Sequence, residues 1–275
     1  MSIENLYPFA GNHAIQNVTF AVEWSNELTS TELMQIQSVL EPQLKAEFSK
    51  ITPQNTQKFS FSMDAAAPGT PNFTPTFELS GFSYEKPSHF GNAQSARSMA
   101  LSKLNLVILI NDYSRWDSVW SDVKRYLSII LPEVKNNPIH NIGLQYSDIF
   151  TWKADPKTFD SKLVFRENSA YLVSNIHNLS GLWHSHHGYI VEREHPQKHT
   201  GLDNINVNLL DNAGTRSLQI ITSHRTTFSD PIWYKGDAEL ASISEIMAIL
   251  HRGNKEIMYN LLSDDVCKKI NLKAN

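Results

Sequence analysis

Between Asn111 and Trp152 the period of the apolar positions changes. Trp116, Val119, Trp120, Val123, Leu127, Ile130 and Leu131 recur at the i, i+3, i+4, i+7 spacing of a helix with one buried face. Ser114 stands where a cap is expected, with Asp117 three residues on, where a carboxylate reaches back to the first free amides. Pro132 ends the run. Beyond a proline-bounded turn, Ile142, Leu144, Tyr146, Phe150 and Trp152 return every second residue, the signature of a strand with one buried face. The spacing predicts a helix carrying two tryptophans laid on a long strand.

The same two periods recur along the chain. Val18, Phe20, Val22 and Trp24 mark a strand. Thr29 and Glu32 form a capping-box pair ahead of a helix with Leu33, Ile36, Leu40, Leu44 and Phe48 on its buried side, and Pro42 should kink or split it. Phe59, Phe61 and Met63 suggest a short strand, and a loop is expected over Asp64–Pro75. A strand near Phe77–Tyr84, a loop at Pro87–Gln94 and an extended apolar stretch over Ser95–Asp112, turning near Lys103–Asn105, come next. Further strands are expected at Gly181–Val191, Leu202–Leu210 and Ser217–Arg225. The chain then closes on a long helix from about Ala238, interrupted at Gly253, and a short turn capped by Ser263.

These elements define an α+β fold, a largely antiparallel sheet with long helices packed on one face. Strand, helix, strand occurs near 15–63 and again near 105–152, and a duplicated unit is one reading of that order. Residues 1–152 form an N-terminal α+β half and residues 153–275 a β-rich half ending in the long helix, either as two units or as one continuous domain.

Composition narrows the function classes. With 41% hydrophobic and 19% charged residues the chain is expected to fold around a core. A net charge of −4, with no basic cluster longer than Lys268–Lys269, argues against a nonspecific grip on nucleic acid. The single cysteine, Cys267, excludes an internal disulfide and a cysteine-built zinc site. The start Met-Ser-Ile-Glu-Asn has neither the basic nor the apolar region of a signal peptide, and the longest fully apolar run, Leu106–Ile110, is too short to span a bilayer. A cytoplasmic protein without a membrane role is the expectation.

Tyr113-x-x-Trp116-x-x-x-Trp120, followed by Ile142-Gly143-Leu144-Gln145-Tyr146-Ser147-Asp148-Ile149, resembles the central signature of a sporadically distributed family of uncharacterised bacterial proteins of about this length. That family's strand typically reads Ile-Gly-Leu-Arg-Tyr-x-Asn; Gln145 and Asp148 stand here at the Arg and Asn positions. The tail, Leu250-His251, then Ile257-Met258-Tyr259, then Leu262-Ser263-Asp264-Asp265, resembles the family's as well. The patchy distribution implies a defence-associated or toxin-type setting, in which this chain would serve as an accessory, sensor or neutralising subunit.

Local chemistry offers one competing motif. Gly181-Leu182-Trp183-His184-Ser185-His186-His187-Gly188 resembles the His-x-His-Pro-x-Gly core of zinc-dependent JAMM isopeptidases, with His184 and His186 on one strand face. His187 replaces the proline, and His195 and Lys198 fall where a Ser and an Asp ligand belong. A metal hydrolase using His184, His186, His195 or His199, with zinc as cofactor, is therefore the alternative to a non-enzymatic subunit with no cofactor. Asp160-Ser161-Lys162 carries the Asp-x-Lys of metal-dependent nucleases, with no strand-borne Asp convincingly placed upstream of it. Trp233 and Tyr234, in a connector after Pro231, are candidate anchors for a partner, either another protein subunit or a second copy.

Overall fold

The computed structural model describes residues 3–62, 72–88 and 95–274. In chain order the strands and helices are β1 (Leu6–Pro8), β2 (Ile15–Trp24), α1 (Ser30–Leu44), β3 (Lys50–Ser62), β4 (Asn72–Lys86), β5 (Arg97–Ser102), β6 (Asn105–Ile110), α2 (Trp116–Ile130), β7 (Ile139–Trp152), α3 (Ser161–Val164), β8 (Trp183–Arg193), β9 (His199–Asn212), β10 (Thr215–Ile232), α4 (Asp237–Leu261) and α5 (Asp264–Lys269). Ten strands make one sheet in the order β3-β4-β5-β6-β2-β7-β10-β9-β8, with β1 added on β7. Every neighbouring pair is antiparallel. The fold is α+β, as the alternation of periods predicts.

Period-two patterning decides which face of the sheet is covered. On β7 the even residues from Ile142 to Trp152 are buried; on β10 the even residues from Arg216 to Phe228 are buried; on β9 the odd residues from His199 to Leu209 are buried. The pairing register brings these sets onto one face, where they meet the apolar stripes of α1, α2 and α4 in two core clusters. A fully buried Leu or Phe contributes about 1.5–3 kcal/mol, so these stripes dominate the choice of register. The opposite face is polar and largely uncharged: Thr19, Gln145, Ser223, Asn204 and Gly188 form one row across five strands.

Several details depart from the sequence expectations. Thr29 and Glu32 do form the reciprocal capping box, but α1 continues through Pro42 and ends only at Leu44, so the proline does not split it. Helix α4 runs unbroken past Gly253, its nine buried residues holding it to the sheet along its length. Strand β4 already begins at Asn72, inside the expected loop; Met63 and residues 64–71 of that expectation, and 89–94 of the next loop, lie outside the described residues. The two strand–helix–strand runs also sit differently. Helix α1 connects central β2 to edge strand β3, whereas α2 connects β6 to β7 with only β2 between them. Among the described residues no helix is long and apolar enough to cross a membrane.

Candidate functional site

The sheet is interrupted beside β7. Strand β2 pairs with Ile139–Asp148 and β1 with Phe150–Trp152, end to end along the same flank. Ile149 holds both ends of the excursion between them: its carbonyl accepts from the Phe9 N–H at 3.0 Å, and its own N–H donates to the Ala14 carbonyl at 2.8 Å. Around this break lies a cavity of about 690 Å³. Its walls come from residues 12–15, the approach to α2 (Tyr113 to Trp116), one face of α4 (His251, Asn254, Lys255, Met258) and the tail 270–273. The four α4 residues are spaced i, i+3, i+4, i+7, so one helical stripe supplies that wall.

Tyr146 and Asp148 form the floor, both on the buried register of β7. Tyr146 Oη lies 2.8 Å from His251 Nδ1. The His251 ring stacks on Trp116 at a centroid distance of 4.1 Å with an interplanar angle of 2°, and Trp116 in turn stacks on Trp120. Burial, reinforced by Lys255, lowers the His251 pKa to about 4, so its imidazole is neutral at neutral pH. Burial pushes the Tyr146 hydroxyl well above its ordinary value, so it stays a phenol, hydrogen-bonded to a neutral His251. Tyr113 packs edge-on against both His13 and Tyr146.

Asp148 is the unmatched group. Its side chain is 4% exposed, and no described residue hydrogen-bonds or ion-pairs with its carboxyl. Burial alone raises its pKa to about 7. A carboxyl in such a place is costly unless something supplies hydrogen bonds. The Nδ1 of His13, also in the lining, is buried without a hydrogen bond.

Asn254 ties the cavity to a second buried polar chain. Its Oδ1 accepts from Thr222 Oγ1 at 2.5 Å and lies 3.3 Å from His224 Nε2, while His224 Nδ1 is 2.6 Å from Asp203 Oδ1. Strand register creates this chain, because His224 pairs directly with Asp203 across β10 and β9. Asp203 therefore belongs to the covered face, apart from Asn204, Asn206 and Asn208 on the open face.

The sequence-derived candidates fall in other places. His184 and His186 project from the open face of β8 opposite Asn208 and Asn206, and His186 Nδ1 is 2.5 Å from Asn206 Oδ1. His199 lies at the far end of that hairpin, paired with Arg193, on the covered face, and binds the Gln197 carbonyl through Nδ1 at 2.7 Å. His195 is exposed in the turn between the strands. Nine ladder positions separate His184 from Arg193, roughly 30 Å at strand rise, so the four histidines do not converge. Asp160 caps α3 through the Lys162 amide. Trp233 is 52% exposed at the end of β10, and Tyr234 packs against the main core. Cys267 is buried.

Of the residues in the sequence motifs singled out above, Tyr113, Trp116, Tyr146, Asp148, His251 and Met258 line the cavity. Ser114 lines it too, but does not cap α2: Arg115 occupies the N-cap position without a side-chain hydrogen bond. Sequence reasoning passed over His13, His224 and Asn254. For Asp148 a signal existed, because a carboxylate stands in phase with Ile142, Leu144, Tyr146, Phe150 and Trp152. Neither the family models nor the curated proteins compared with the chain match it.

Proposed function

We propose that the protein is a non-enzymatic binding subunit, of sensor or accessory type, whose recognition site is the cavity at the β1/β2 break. One observation carries this reading: a carboxyl that the fold leaves buried and unmatched at the floor of a cavity of about 690 Å³. Pockets of about 300–1,000 Å³ with few placed polar groups are the usual sites for small ligands. Two of the polar groups that share the cavity with Asp148 are already committed. His251 is clamped between Tyr146 and Trp116, and Asn254 is oriented by Thr222 and His224. Such fixed neighbours suit recognition better than proton transfer, which needs a base free to exchange its proton.

The same reading gives the subunit a protein partner or a second copy, with exposed Trp233 as anchor. It also retains internal duplication, with a larger unit than the sequence suggests. β2 and β7 lie side by side, and each is followed by a helix and a meander whose last strand, β6 or β10, returns to pair with it.

Ligand-observed NMR with a fragment collection, run on the full chain and on Met258→Trp, tests the site. Met258 lines the cavity, and a bulkier indole there narrows it. Fragments that bind the native protein and are lost in the variant are expected. A set of binders indifferent to the substitution would overturn the assignment.

A further inference from the structure

We infer that the cavity takes a guanine nucleotide, its base edge on Asp148 and its phosphate at the start of α2; this rests on the cavity being the recognition site. Two independent features that line one cavity specify the two ends of the ligand. At the floor, Asp148 needs donors. A carboxylate accepts two parallel hydrogen bonds, and guanine offers N1–H and the exocyclic N2–H side by side on one edge. The surrounding rings, Tyr113, Tyr146 and Trp116, suit a flat, partly apolar group.

At the mouth the chemistry reverses. Helix α2 is 15 residues long and begins without a side-chain cap, its Arg115 N-cap in extended conformation at φ −144°, ψ 149°. Its first amides are therefore not taken up by a side-chain cap and, with the helix dipole, favour an anion. Exposed Arg115, part-exposed Lys255 from α4 and exposed Lys273 from the tail line the same cavity. Asp117, in the first turn of α2, is exposed and outside the lining, though its charge reaches the lining residues Tyr113 and His251. Three cationic residues line the cavity although the chain as a whole carries −4. An N–H-rich planar head and an anionic tail, in a volume of about 690 Å³, describe a nucleotide better than an amino acid or a lone phosphate.

Isothermal titration of the full chain with GMP, AMP, CMP, UMP, guanosine and inorganic phosphate tests the inference. GMP should bind at least tenfold more tightly than the other nucleotides and than guanosine. Asp148→Asn, checked for folding by its thermal melt, should erase the preference for guanine. Arg115→Gln should erase the difference between GMP and guanosine while sparing guanosine itself. Equal binding of GMP and guanosine, phosphate binding as tight as GMP, or an Asp148→Asn variant with unchanged base preference would each overturn the nucleotide. If no nucleotide binds but Met258→Trp still abolishes fragment binding, the ligand class is wrong and the recognition site stands. If neither nucleotides nor fragments sense Met258→Trp, both readings fail.

Discussion

Replacing Asp148 by Asn should change the slope of stability against pH more than stability itself. The carboxyl has an ordinary value of 3.8 and is raised to about 7 by burial. An acid whose folded-state pKa lies above its unfolded value binds protons on folding. Its contribution favours the fold in full below the unfolded pKa and is lost as pH climbs through the folded one. The whole displacement corresponds to about 4 kcal/mol, and the part lost between pH 5 and pH 8 to about 2.5 kcal/mol. The asparagine carries no charge to desolvate, and its fixed amide cost is the same at every pH. Urea unfolding of both proteins at intervals from pH 5 to pH 8 isolates the effect, because other titrating groups cancel in the difference. The variant should gain on the native protein by about 2.5 kcal/mol across that range. Parallel curves would show that Asp148 ionises freely in the fold, and would remove the buried carboxyl as the basis of the site.

Three further outcomes follow from named contacts. His224→Phe leaves Asp203 buried without its partner and should cost about 3–5 kcal/mol, most of it recovered when Asp203→Leu is added; a double-mutant cycle by chemical denaturation measures both. Elemental analysis of untagged protein should find substoichiometric zinc, unchanged by His184→Ala/His186→Ala, since the two histidines stand apart from His195 and His199 and His186 is engaged with Asn206; stoichiometric zinc lost in the double variant would restore the hydrolase. Trp233→Ala, at an exposed side chain, should shift stability by no more than about 0.5 kcal/mol yet weaken self-association or partner capture in sedimentation runs, and unaltered association would remove it as an anchor.

The elements were legible wherever one face is buried, because burial imposes the period. The alternation in β2 and β7 and the stripe of α4 follow from that alone. Local chemistry was legible where the partners are close in sequence, as in the capping box of Thr29 and Glu32. The start of α2 shows the limit of that logic. Ser114 is the better capping residue, yet the helix begins one residue late with Arg115 at the N-cap and no side-chain cap, beside the cavity. A local rule broken beside a concentration of unmatched polar atoms is what a functional site is expected to leave behind.

The site itself is written in phase rather than in motif. Asp148 interrupts an apolar stripe without leaving it, Asp203 keeps step with Ile205, Val207 and Leu209, and His224 keeps step with Leu218 and Ile220. Each is a titratable residue placed where the pattern calls for a hydrophobic one, and such a residue persists in a core only with a partner. Phase alone could have flagged all three. It could not show that Asp203 and His224 satisfy each other while Asp148 has no partner among the described residues, because that depends on strand register and on the break between β1 and β2. The more conspicuous Trp-His-Ser-His-His run belongs to an edge strand, where of these residues only Trp183 is buried and the alternating histidines at 184 and 186 face out. An unusual run on an exposed face needs no function to persist, whereas a lone carboxylate in a buried register does, and that asymmetry favours Asp148 over the histidines as the functional centre.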